Sequence, residues 1–123
     1  MMITCPYCGK DAPWFHTSTH VYGRDFGPIY HCIPCDARVS CHKDRPGKPM
    51  GTLANAELRE LRQKAHAAFD PIWLGKLMKR RAAYRWLARA LGENEVHIGE
   101  SDESRCRAII ALASQKHEEL RTD

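Results

Sequence analysis

No stretch of the chain approaches the roughly 18 consecutive apolar residues of a membrane-spanning helix. The amino-terminal MMITCPYCG also lacks a basic segment followed by an apolar run, the pattern of a secretory leader. The cytoplasm is therefore the expected compartment, with no membrane partner. Low hydrophobicity and a large net charge, which mark disordered chains, are missing as well: 43% of residues are hydrophobic, 28% are charged, and the net charge is +4. The chain should fold. With 123 residues it has no room for two full-sized cores, so one domain, or a small module joined to a somewhat larger one, is expected. There is no P-loop, no GxSxG and no HExxH, which removes the simplest routes to nucleotide, acyl or metalloprotease chemistry.

What is present is cysteine, six residues of it. In a reducing compartment these are not expected to pair as disulfides, so their spacing reads as metal or thiol chemistry. CPYCG at 5–9 and CIPCD at 32–36 are two CxxC knuckles separated by the 23 residues from Gly9 to His31. Each knuckle turns two thiolates toward one point, and two knuckles complete a tetrahedral shell, here Cys5, Cys8, Cys32 and Cys35 around one structural Zn2+. Gly9 supplies the positive φ that such a turn needs, and Pro6 and Pro34 stiffen the two loops. The spacer is slightly longer than the usual 15 to 20 or so. A thioredoxin-type redox pair would instead open a helix after a strand. Both copies here stand beside turn residues and strand-like runs such as 28–32 (PIYHC) and 37–40 (ARVS). Four thiolates leave no coordination position for water, so the ion is structural and supports a β-rich segment too small to carry its own core.

That assignment leaves His31, Cys41 and His42. His31 precedes a ligand and could replace one, although four cysteines already suffice. Cys41 reads as a small buried hydrophobe beside a turn. The Pro/Gly-rich 43–51 (KDRPGKPMG) cannot continue a strand and reads as the ribbon's boundary, with a zinc-ribbon module at 1–50 and a helical module at 51–123.

Beyond Gly51 the apolar period becomes helical. Thr52 or Asn55 can cap a helix to about Phe69, with Ala54, Leu58, Leu61, Ala65 and Ala68 on one face. Asp70-Pro71 should stop it and start another, because the residue before proline avoids helical geometry, while Asp caps and Pro begins helices well. Ile72, Trp73, Leu74 and Leu77 then suit a short buried helix. A stronger helix runs from Lys79 to Leu91 and is ended by Gly92, and a last one runs from about Asp102 to Glu118 behind the cap Ser101, burying Cys106, Ile109, Ile110 and Ala113. The predicted fold class is α+β: a small antiparallel zinc ribbon packed on a carboxy-terminal bundle of about four helices.

The runs CPYCG, YHCIPCDARVSCH, PMGTLANAELRELRQKAHAAFDPIW, RRAAYRWLARALG and HIG resemble a family of small bacteriophage and prophage proteins, known by their zinc-finger domain and without a settled function. The resemblance covers most of the chain and implies phage origin, a bound metal and work in the host cytoplasm. The family pattern favours glycine where Ser40 stands and cysteine where Val96 stands. A second metal or thiol site built on that cysteine would lack its ligand here.

Charge is unevenly spread. Residues 1–50 hold six basic and four acidic groups (+2), residues 51–92 nine and three (+6), and residues 93–123 four and eight (−4). Arg81, Arg85 and Arg89 recur every four residues, with Lys76, Lys79 and Arg80 near the start of the stripe. Such a face suits a phosphate backbone, DNA or RNA, where counterion release drives association, and Tyr84 and Trp86 could stack on bases. Equally, the stripe could be a solvated surface neutralised by Glu93, Glu95, Glu100, Asp102 and Glu103, with Tyr84 and Trp86 in the core. A second function class is a non-catalytic modulator that binds a host or phage protein, through Trp14, Phe15, Tyr22, Phe26 and Ile29 should these face solvent. A third is a metal-dependent nuclease, with His66 and Asp70 at i and i+4 joined by His42, Asp44 or His97. In that case Asp70 would have to serve both as a cap and in the chemistry.

Overall fold

A computed structural model describes residues 1–122. The chain falls into two compact units, Met1–Glu57 and Leu58 onward. The first is a four-stranded antiparallel meander, β1 (Met2–Thr4), β2 (Asp11–Phe15), β3 (Ile29–Cys32) and β4 (Ala37–Ser40), in sequence order, with a short helix α1 (Thr19–Tyr22) between β2 and β3. The second is helical: α2 (Ala56–Leu74, beginning just before the division), α3 (Arg80–Ala90), a 3-10 turn at Ile98–Glu100, and α4 (Glu103–Thr122). This is the expected α+β architecture. No described helix is long and apolar enough to cross a membrane.

Period-two alternation builds the ribbon. Ala12 and Trp14, Tyr30 and Cys32, and Ala37, Val39 and Cys41 fall on one face, where they form a core with Ile3, Cys5, Cys35 and Leu53. The register agrees, with Trp14 opposite Tyr30, Tyr30 opposite Val39, and Cys32 opposite Ala37. All four residues of β3 are buried, because α1 and its flanking loop cover the opposite face: Phe15, His20 and His31 stack there, and Arg38 lies over Tyr22. The Pro/Gly-rich 43–51 segment folds back onto β4 instead of leaving the sheet. Cys41 bridges Pro49, and the Met50 N–H donates to Ser40 O at 2.8 Å. Two core rings hold this segment, Trp14 Nε1 donating to Pro46 O (2.8 Å) and Tyr30 Oη to Gly47 O (2.6 Å). Arg38 and Ala54 then exchange both backbone hydrogen bonds.

In the helical unit Leu58, Ala65, Phe69 and Ile72 of α2, Ala83, Leu87 and Ala88 of α3, and Cys106, Ile109 and Ala113 of α4 are buried. Four local expectations are corrected. Asp70-Pro71 does not divide α2: Pro71 lies inside the helix. The missing N–H and ring clash cost about 3 kcal/mol, but Phe69 and Ile72 flank the site and are both fully buried. Keeping two such side chains on one continuous face is favoured by roughly 1.5–3 kcal/mol each. Asp70 is therefore no cap, and its carboxylate faces His66 Nδ1 (3.3 Å) and Trp73 Nε1 (3.3 Å).

The helix stops at Lys76, whose φ of 60° is left-handed; the Lys76 N–H reaches Trp73 O and the Leu77 N–H reaches Ile72 O. This is the paired carbonyl closure usually made with glycine. Because the helix does not restart after Asp70, Leu74 (63% exposed) and Leu77 (36%) face solvent rather than a core. At α4 the cap is Asp102, whose Oδ1 accepts the Arg105 N–H at 2.8 Å, while Ser101 is buried and donates to His97 O. Ile110 is only half-buried. Gly92, with φ of 73°, ends α3 as its position predicts.

Two substitutions check these boundaries by thermal unfolding of the zinc-loaded protein. Lys76→Gly relieves the left-handed backbone and should stabilise the protein by about 0.5–1 kcal/mol. Asp102→Ala removes the cap and should cost about 1 kcal/mol.

Candidate metal centre

The first knuckle follows directly from β1. The Cys5 N–H donates to Lys10 O (2.8 Å) and the Gly9 N–H to Cys5 O (2.9 Å), closing a tight turn that Gly9 completes with φ of 75°. The second, between β3 and β4, is closed by the Asp36 N–H donating to Ile33 O at 3.1 Å. Here the left-handed position is occupied by Asp36, with φ of 48°. Aspartate tolerates that conformation better than most residues. Its carboxylate is held by His31 Nε2 at 3.0 Å, so His31 braces the knuckle from the side.

The antiparallel sheet brings the two turns together. The four sulfur atoms of Cys5, Cys8, Cys32 and Cys35 all lie within 4.8 Å of one another. Cys8 and Cys32 are 3.7 Å apart. A tetrahedron with metal–sulfur bonds of about 2.3 Å has an edge of about 3.8 Å, so this separation is what a shared ion requires.

The thiols' acidities show what the cluster needs. Cys35 is pushed up to about 12, first by burial and then by the neighbouring thiols Cys8, Cys32 and Cys5. At Cys32 the Cys35 N–H favours the thiolate, but burial and the Cys5 and Cys8 sulfurs outweigh it and the net direction is up. Cys8 shifts down, chiefly because the Lys10 N–H points at its sulfur. Four sulfurs this close cannot all ionise unless a cation sits among them, and a divalent ion reverses the upward pressure.

A family described as a zinc-finger-containing domain matches residues 1–116 of the chain. The chain belongs to that family. No curated protein and no solved structure matches it. The zinc-finger domain thus has a four-cysteine cluster that fits one structural zinc ion, held by Cys5, Cys8, Cys32 and Cys35.

Among the described residues no other group of three or more His, Cys, Asp or Glu side chains comes close enough to hold a metal. His31 is not a ligand: its Nδ1 faces His20 Nε2 at 3.0 Å while Nε2 faces Asp36. Burial pushes its pKa down against the opposing pull of Asp36, which favours the neutral ring, and a neutral ring satisfies both contacts when Nε2–H donates to Asp36 and Nδ1 accepts from His20. Cys41 is buried in the ribbon core and its thiol is pushed up by burial, the behaviour of a small hydrophobe. Val96 is likewise buried. His66 and Asp70 meet as expected, with no third ligating group beside them among the described residues, and the His97 ring faces Glu95 at 3.2 Å. The His31–Asp36 brace escaped sequence reasoning. The faint signal for it was an Asp one residue past the second CxxC, where the first knuckle has Gly9.

The basic residues are all exposed: Lys76 in the turn after α2, Lys79 just before α3, and Arg80, Arg81, Arg85 and Arg89 on α3 itself. Tyr84 and Trp86 are half-buried. Tyr84 packs edge-on against Phe69 at 4.7 Å, and Lys116 lies over Trp86.

Cys5→Ser or Cys35→Ser should abolish stoichiometric zinc and unfold the ribbon, because structural zinc contributes on the order of 10 kcal/mol to such small folds. Cys41→Ala should leave the metal content at one ion per chain. Elemental analysis with near-ultraviolet circular dichroism reads both outcomes, and zinc retained by Cys35→Ser contradicts the assignment.

Proposed function

We propose that this is a phage- or prophage-derived structural-zinc protein of the host cytoplasm that binds nucleic acid through the basic face of α3. One observation carries the reading. Arg81, Arg85 and Arg89 form an exposed stripe, and among the described residues no carboxylate pairs with any of them. Three carboxylates of the acidic segment that could have neutralised the stripe are engaged elsewhere: Glu93 pairs with Arg105, Glu95 with His97, and Asp102 with the first turn of α4. Arg80 adds a guanidinium held over Trp73 (5.2 Å) and Tyr84 (4.8 Å), an arrangement that lowers the entropy lost when it meets a phosphate.

A second reading, a non-catalytic modulator of a host or phage protein, is favoured by Leu74 and Leu77, which stand in solvent beside the basic turn. The two readings separate by salt dependence. Replacing Arg81, Arg85 and Arg89 with alanine should weaken binding to DNA or RNA and reduce the slope of log affinity against log salt by about 3. Wild-type protein that binds neither nucleic acid at low salt, but captures a partner lost on Leu74→Lys, would replace the first reading with the second.

A further inference from the structure

The loop joining β2 to β3 carries the ribbon's most exposed rings. Phe26 is 59% exposed and Tyr22 46%, and they meet edge to face, centroids 5.5 Å apart at 88°. Exposed aromatics on a small ribbon run against the need to bury every apolar side chain, so their position requires a cause. The loop is fixed by polar contacts that turn inward. Ser18, 2% exposed, accepts the Phe26 N–H on its hydroxyl at 2.9 Å. Asp25 Oδ1 accepts the N–H groups of Gly27 (2.8 Å) and Ser18 (3.3 Å). The Gly27 bond, foremost, holds the Asp25 carboxyl below its usual range. Gly23, at φ of 76°, ends α1 and sends its N–H back to Thr19 O. The backbone is closed on itself, and the rings are left standing outside it.

Two guanidiniums stand against the rings. Arg24 lies over Phe26 at 4.6 Å and Arg38 over Tyr22 at 5.2 Å. The buried Nε of Arg38 has no hydrogen-bond partner among the described residues, and the guanidinium lies over the Tyr22 ring. The one carboxylate of the loop, Asp25, is committed to backbone N–H groups. The exposed parts of the two rings offer flat apolar surface to planar bases. Two guanidiniums beside them match the phosphates that come with those bases.

We infer that the Tyr22–Phe26 loop is a single-strand contact site, stacking unpaired bases on its rings and placing their phosphates on Arg24 and Arg38. The inference rests on the nucleic-acid reading above but on a different unit of the chain, and it adds a preference for unpaired strands that the α3 stripe does not supply.

The test uses the full zinc-loaded chain, a labelled single-stranded oligonucleotide of mixed sequence as DNA and as RNA, and the corresponding duplex. In the variant Tyr22→Leu/Phe26→Leu, which keeps apolar bulk and removes the rings, single-strand affinity should fall at least tenfold while duplex affinity and zinc content stay unchanged. Phe26→Trp should retain single-strand binding. Equal single-strand affinity in the double variant and the wild type overturns the inference and leaves the α3 reading standing. A parallel loss for single strand and duplex also overturns it. If the double variant loses single-strand binding while Arg81→Ala/Arg85→Ala/Arg89→Ala binds as wild type, the α3 reading fails and this one holds. No single-strand binding by the wild type, with an acidic peptide bound through the same loop instead, replaces the nucleic acid with a protein partner.

Discussion

Four sulfur atoms drawn within 4.8 Å of one another are the constraint on which the first unit depends. Without a cation the arrangement resists ionisation, as the Cys35 value of about 12 shows. With one, mutual repulsion is replaced by four metal–sulfur bonds that join the start of the meander to its middle. The apolar core beneath consists mostly of alanine, cysteine and single aromatic rings, too little buried area for a stable fold of this size. The knuckles therefore do the work that a larger core does elsewhere. Their backbone N–H groups reinforce it: that of Lys10 points at Cys8 and that of Cys35 at Cys32, both favouring the thiolate.

The constraint reaches into the sheet through β3. This strand ends in a ligand, Cys32, and is covered on both faces, so its alternate residues have separate tasks. Tyr30 and Cys32 face the ribbon core, and Tyr30 also ties down the 43–51 return. His31 points the other way, between His20 and Asp36. Because Asp36 occupies the left-handed position of the second knuckle, the imidazole fixes the turn that presents Cys35. A histidine beside a metal ligand thus acts on the site without touching the ion, through the backbone conformation of a neighbouring residue.

Much of this was legible in the sequence where chemistry and spacing coincide. Two CxxC pairs beside turn residues give the cluster; the strand-like runs 28–32 and 37–40 become strands; Gly92 gives the end of α3. The failures share a physical origin, the precedence of tertiary burial over local preference. Asp70-Pro71 reads as a break by every local rule, yet Phe69 and Ile72 require one continuous face and the helix runs through. Lys76 adopts the left-handed conformation one residue after a glycine that could have taken it, because the carbonyls of Ile72 and Trp73 are closed from that position. Ser101 was the natural cap by composition, but it is buried and turned toward His97, so Asp102 takes the role. The Asp36 brace depends on a contact between side chains five residues apart, a pairing that no periodic pattern announces.

The metal also alters how charge is distributed along the chain. Four thiolates and one divalent cation together carry two negative charges, which cancels the +2 of residues 1–50 and leaves the loaded ribbon formally neutral. Long-range attraction to a polyanion then has to come from residues 51–92, where +6 is concentrated. A neutral ribbon can contribute only at short range, by contacts that do not rely on net charge. Stacking on exposed rings is such a contact, since ring and base attract at van der Waals distance whatever the total charge. In the proposed reading, a basic helix for capture and an aromatic loop for close contact would thus be complementary consequences of placing the metal in the first unit and the arginines in the second.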